Sequence, residues 1–272
     1  MLKGKPRRIR AHILVKAFPQ PSQQYGETVC VAAAEKSGES MLRLYPIRYR
    51  RLPKKHQFDR FDEIEAVACK PTDDIRPESW HIQEDSIFVV NRGEDLNAIA
   101  KVRIWKPFIC ESLGALKKEQ QQTRRSFGII RPDPGTLKFF AKPIDATNDA
   151  DKELDNSLFQ QQALFEDSLE PLPPPDFAFG YKFSSGGVQH NMRIHDWEVQ
   201  AAFFKFKRRY GDAALDKIRE AYQDLIPKQN PHFIMGNMHR RPWLFIIIGI
   251  LRSSLSPDDL DRQGEIFGPR TG

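Results

Sequence analysis

Cysteine is scarce: Cys30, Cys69 and Cys110 are the only three in 272 residues. Their spacing builds neither an even disulfide framework nor a C-x-x-C metal pair, so buried, reduced thiols inside apolar runs are expected. Long hydrophobic runs are missing as well. The strongest, Trp243 to Leu251, has nine residues, less than half of the ~20 that a membrane-spanning helix needs. Met1 to Arg10 carries five positive charges but lacks the apolar stretch of a signal peptide. Together these absences predict a cytoplasmic protein with no membrane partner.

Catalytic signatures are absent too. The chain contains no G-x-x-x-x-G-K-[ST] phosphate loop, no G-x-G-x-x-G turn, no H-E-x-x-H and no G-x-S-x-G, so the common nucleotide-binding, zinc-protease and serine-hydrolase signatures are excluded. No lysine has Asp or Glu two positions before it, which excludes the usual carboxylate-x-lysine core of restriction-type nucleases. No internal repeat is visible.

What is present is a globular composition, 29% charged and 40% hydrophobic, with a net charge of +6 and a pI near 9.2. The charge is polarised along the chain. Residues 1–60 carry +10, residues 61–110 carry −4, residues 111–140 carry +3, residues 141–180 carry −7 and the remainder +4. The acidic stretch has no apolar periodicity and ends in Pro171, Pro173, Pro174 and Pro175, the composition of a linker or long surface loop.

Short β-branched or alternating runs separated by turn clusters predict strands over Ile9–Ala17, Glu27–Glu35, Met41–Ile47, Asp62–Cys69 and Ser86–Asn91. A thin helical pattern covers Glu111–Arg125, and Thr136–Ala141 reads as another strand. Beyond the acidic stretch, Phe177–Phe183 and Val188–Ile194 flank Ser184-Ser185-Gly186-Gly187 as a hairpin. A helix capped by Asp196 should follow, with Trp197, Ala201 and Phe204 facing the core. A second helix over Asp212–Ile226 presents Leu215, Ile218, Tyr222 and Leu225 on one face and stops at Pro227. His232–Gly236 and Trp243–Leu251 read as two further strands. The predicted class is therefore α+β. A β-rich basic domain, a small sheet or barrel, occupies 1–142, an acidic Pro-rich linker or long loop 143–176, and an α+β unit with a hairpin, two helices and two strands 177–272.

Two constellations point to chemistry. Met41 to Lys55 reads M-L-R-L-Y-P-I-R-Y-R-R-L-P-K-K. As an extended segment it sets Arg43, Tyr45, Tyr49 and Arg51 on one face. Arginine and lysine neutralise phosphates, and tyrosine rings stack on exposed bases. Arg43, Tyr45, Arg48, Tyr49 and Arg51 are the candidates for backbone and base contact, with Lys54, Lys55, Arg208 and Arg209 adding phosphate contacts. This predicts an accessory nucleic-acid-binding protein for single-stranded or distorted DNA or RNA, with no cofactor. The alternative is a metal-dependent nuclease or other phosphodiester hydrolase using His190, His195, Asp196 and Glu198, since imidazole and carboxylate are the groups that hold a divalent metal and activate water. A third possibility is a subunit whose basic face meets an acidic protein partner.

Overall fold

The computed structural model describes residues 4–22, 26–144, 176–239 and 241–255. The expected acidic linker falls almost wholly outside them. The α+β class holds: the N-terminal region is a closed five-stranded barrel, and helices and strands mix in the C-terminal part.

The barrel is formed by β1 (Arg7–Lys16), β3 (Gly26–Glu35), β4 (Met41–Ile47), β6 (Ser79–Ile82) and β5 (Glu63–Cys69), in that ring order, and β1 closes the ring by pairing with β5. A short β2 (Gln20–Ser22) pairs with β3, and β7 (Phe88–Asn91) extends from β5. All ring pairings are antiparallel except β4 with β6. By order of appearance the ring strands run first, second, third, fifth, fourth, which is the Greek-key order of an OB-type barrel. Ile9, Ala11, Ile13, Val31, Ala33, Leu42, Leu44, Ile64, Phe58 and Trp80 fill its interior.

The outer face of β3 and of the second half of β1 is covered as well. Leu14, Val15, Ala32, Ala34 and Met41 pack with Trp105 and Phe108, and with Phe127, Ile129, Ile234, Ile248 and Leu251 of the second half. Burial on both faces is why Val29 to Ala34 is a continuous apolar run rather than an alternating one. The small alanines there permit close approach, and so does Gly249, where a Cβ would lie 2.8 Å from Val15 Cγ2.

The connection between halves is α1 (Ala98–Trp105), capped by Asn97, whose side chain accepts from the Ala100 amide at 2.9 Å. Then come β8 (Ile109–Cys110), α2 (Leu113–Thr123), β9 (Phe127–Ile130) and β10 (Lys138–Pro143). These strands pair with later ones: β9 with β13 (His232–Met238), β10 with β11 (Phe177–Ser185). β11 pairs with β12 (Val188–Arg193), β13 with β14 (Arg241–Leu251), and a parallel bridge between Ile194 and Ile247 joins β12 to β14. If β9 and β10 are counted together as one bent first strand, the order is again first, second, third, fifth, fourth, with third and fifth parallel. The halves repeat one topology that no sequence repeat reveals.

The two halves differ in the connection from third to fourth strand. In the first it is a pair of 3-10 turns, Tyr49–Arg51 and Lys54–His56; in the second it is α3 (Trp197–Tyr210) and α4 (Ala214–Arg219). The most buried residues of α3 are Val199, Gln200 and Phe203; of the expected Trp197, Ala201 and Phe204, Trp197 packs on the barrel core and Phe204 on the second core, while Ala201 is exposed. Asp196 accepts from Arg60 of the first half, and Trp197 meets Tyr49 of that half edge-on. After α4, a π-helical turn over Glu220–Leu225 inserts extra chain per turn. Ile226 consequently faces the core and Leu225 is left 49% exposed, where the sequence predicted Leu225 inside.

Candidate nucleic-acid interface

β4 delivers the basic segment to the barrel end. Alternation gives Arg43 and Tyr45 the same outer face, but the second half of the chain covers only Arg43. Arg43 points at the second half and is 5% exposed. Its guanidinium donates to the Ser126 carbonyl and hydroxyl at 3.2 Å and lies 3.8 Å over the Phe127 ring. Burial lowers its pKa, with Arg76 nearby and the polar contacts of Cys30 opposing. It is an inter-half anchor, separate from the solvent face where the sequence placed it with Tyr45.

Tyr45 is exposed at the end of the strand. Tyr49 is not free to stack on a base: its hydroxyl donates to the Phe58 carbonyl at 2.6 Å and accepts from Lys16 at 3.0 Å. Its ring meets Phe58 and Trp197 edge-on, at centroid distances of 5.2 and 5.6 Å, with the Lys16 ammonium 4.1 Å above. Arg48 makes an ion pair with Glu84 at 2.7 Å, while Arg51, Lys54 and Lys55 line the exposed side of the two turns. Lys54 also borders a polar cavity of about 610 Å³ shared with Asp59, Arg60, Arg92 and Lys101.

Arg208 and Arg209 lie in the last turn of α3, exposed, the latter 5.3 Å from the Tyr210 ring. α3 has 14 residues, so at about 1.5 Å each they sit some 17 Å along the helix from the Trp197 contact with Tyr49. The structure therefore keeps Tyr45, Arg48, Arg51, Lys54 and Lys55 as one surface segment and places Arg208 and Arg209 on a separate element.

The hydrolase candidates separate. His190 lies on β12 against Phe183, at a ring distance of 5.3 Å. His195 is five residues further along extended chain, about 16 Å, held by its amide donating to Ile247 and its carbonyl accepting from Phe18. Burial, aided by Arg193, lowers the His195 pKa to about 4, and burial lowers that of His190. Asp196 is 2% exposed; one oxygen accepts from the Glu198 amide at 2.9 Å as the helix cap, and the other from Arg60 at 3.2 Å and Ile250 N at 3.3 Å. Glu198 pairs with Arg60 at 3.0 Å. Burial pushes the Asp196 carboxyl up against the pull of Arg60. Its oxygens are thus committed to joining the halves. Among the described residues no three His, Cys, Asp or Glu side chains are grouped to hold a metal ion.

A polar chain through Asp74, Arg76 and Glu78, whose sequence reads as a turn with local ion pairs, links the halves at another edge. Arg76 donates to Asp74 at 2.6 Å and to the Asn237 carbonyl at 3.1 Å; Asn237 donates to the Pro242 carbonyl at 2.8 Å. Glu78 accepts from the Ser126 amide and hydroxyl at 2.9 and 2.7 Å. The Asp74 carboxyl is held well below the usual range, burial being outweighed by the hydrogen bonds of Arg76 and Ser79. Trp243, at the start of β14, is 67% exposed. The sequence reads Trp243–Leu251 as a strand, and the structure extends that strand back to Arg241.

Comparison with known families divides the chain at the end of α1. Residues 110–268 match the family described as Domain of unknown function (DUF8757). The chain belongs to that family. Residues 7–106 are similar to Domain of unknown function (DUF8758), which corresponds to the closed barrel with β7 and α1. The DUF8757 part begins at β8 and holds the second set of strands and all later helices. No curated protein matches. Among the described residues no helix is long and apolar enough to cross a membrane.

Proposed function

We propose that this protein is an accessory nucleic-acid-binding protein that takes single-stranded or distorted DNA or RNA on the connection leaving β4. The observation that carries this reading is the run of exposed Tyr45, Arg51, Lys54 and Lys55, with Arg48, at the mouth of an OB-type barrel. Barrels of that topology bind oligonucleotides and oligosaccharides through one sheet face and the loops at one end. A net charge of +6 favours the polyanion over a neutral glycan.

Anisotropy titration of labelled single-stranded and duplex oligonucleotides at 50 and 200 mM salt is the test. Binding weakens steeply with salt, and replacing Arg51, Lys54 and Lys55 together by Ala flattens the log K against log salt slope by about 2, three contacts at ~0.7 each. Undetectable or salt-independent binding to every oligonucleotide at 50 mM salt overturns it.

A further inference from the structure

The two halves share a topology, yet the same face has opposite fates in them. In the first barrel the outer side of the second and third strands, β3 and β4, carries Ala32, Ala34, Met41 and Arg43 and is covered by the second half. In the second half the corresponding sheet is β10–β11–β12. Its inner side is fixed by Phe139, Phe179, Tyr181, Phe183 and Met192, which belong to the core. Period-two alternation then puts Lys138, Phe140 and Lys142 of β10, Gly180 and Lys182 of β11, and Asn191 and Arg193 of β12 on the outer side.

The pairing register assembles these residues into rows. Phe140, Gly180 and Arg193 are cross-strand neighbours, as are Lys138, Lys182 and Asn191. The Phe140 ring lies across Gly180: a Cβ there would come within 2.2 Å of Phe140 Cζ and 2.3 Å of the Met192 carbonyl. Glycine at 180 thus lets the ring lie against the sheet. Lys138, Lys142 and Lys182 are exposed, and the outward positions named carry four cations and no acid. Two described acids lie at the sheet ends and are engaged there: Asp133 accepts from the Gly186 and Gly187 amides in the hairpin turn, and Asp176 pairs with Lys207.

We infer that the outer face of β10–β11–β12 is a second nucleic-acid surface, which takes a single strand across the sheet with a base on the Phe140 ring and phosphates on Lys138, Lys142 and Lys182. A flat ring at the centre of a lysine-edged sheet meets the two needs of single-strand binding, a sequence-tolerant stacking platform and an electrostatic track. A duplex has its bases stacked and leaves the ring without a partner. The charge of the face selects a polyanion over a second copy of this basic chain.

The test uses the full chain and a short oligo-dT, with the same sequence as duplex for comparison. Phe140→Leu keeps the bulk over Gly180 but removes the aromatic face, and weakens single-strand binding about tenfold, from ~1.4 kcal/mol of stacking, with duplex binding unchanged. Replacing Lys138, Lys142 and Lys182 by Ala, all at exposed positions, flattens the salt slope by about 2. A halogenated-uracil strand photo-crosslinks to peptides from β10 to β12. The proposal is overturned if both variants bind oligo-dT like the parent, if crosslinks map elsewhere, or if the lysine variant alters only the sedimentation coefficient, which marks a contact between copies. The Arg51, Lys54 and Lys55 variant is measured beside them. A loss there with none here retires the sheet face alone, and the reverse retires the connection after β4.

Discussion

Tyr45 and Tyr49 are four residues apart and meet different surroundings. The first ends a strand in solvent; the second has its hydroxyl bonded to Phe58 and Lys16 and its ring wedged against Trp197. Tyr49→Ala accordingly lowers unfolding free energy by about 2 kcal/mol through lost packing and the loss of one of the two hydrogen bonds to the Phe58 carbonyl, Lys16 keeping the other, and leaves oligonucleotide affinity within twofold. Tyr45→Ala does the opposite, weakening single-strand binding about tenfold by loss of a stacking ring at little cost in stability. Urea titration and anisotropy on both variants separate the effects, and an affinity loss confined to Tyr49→Ala contradicts the assignment. Sequence supplied the residue types here. It could not distinguish Tyr45 from Tyr49, because the partners that bury Tyr49 are Phe58 and Trp197, the latter 148 positions away.

At the scale of elements, α3 is anchored to the barrel by a polar joint. Asp196 caps the helix while Arg60 reaches it at 3.2 Å, Glu198 at 3.0 Å and the Ile250 carbonyl at 2.6 Å. The guanidinium is 15% exposed, so its removal leaves Asp196 buried without its charge partner. Arg60→Ala is expected to reduce stability by about 3 kcal/mol in urea denaturation. Asp196→Asn costs less, about 1 kcal/mol, since an amide still caps. An Arg60→Ala loss below about 0.5 kcal/mol, the scatter of surface substitutions, dismisses the joint. The cap was legible in sequence, because Asp before a helix-forming run has a local physical meaning. The joint was not, and Asp, Glu and His gathered in nine residues resembled a hydrolytic site for that reason.

The whole molecule depends on a hydrophobic seam between its halves, and the seam contains a histidine. His232 is 2% exposed, its ring tilted against that of Trp105 at 4.7 Å, with its pKa lowered to about 4 by burial, aided by Arg131. A depressed histidine pKa means that the unfolded chain takes up the proton first, so stability is full above pH 6.5 and falls as pH drops towards 4. The loss from this group is about 3 kcal/mol by pH 4. Glu63 adds a lower step: hydrogen bonds from Asn91, Arg10 and Lys36 outweigh burial and hold it at about 2, so its contribution fades as pH falls from 4.5 towards 2. Urea midpoints at pH 7, 5 and 4 should fall progressively, and less so in His232→Phe. Equal slopes in the two proteins overturn this reading.

The amino-acid sequence by itself determined the α+β class, nearly every strand of the first barrel, the Asp196 cap and the basic connection after β4. Those features follow from local periodicity, capping chemistry and charge. It did not disclose β6 or α1, whose apolar patterns are too short to read, nor the repeated barrel topology, since strand order depends on pairings between residues far apart. Nor did it decide which basic and aromatic groups reach solvent. Arg43 became an anchor because its neighbours, Ser126 and Phe127, come from the other half of the chain. Only the tertiary structure decided which of these groups are buried, because the second half of the chain covers one face of the first barrel's sheet.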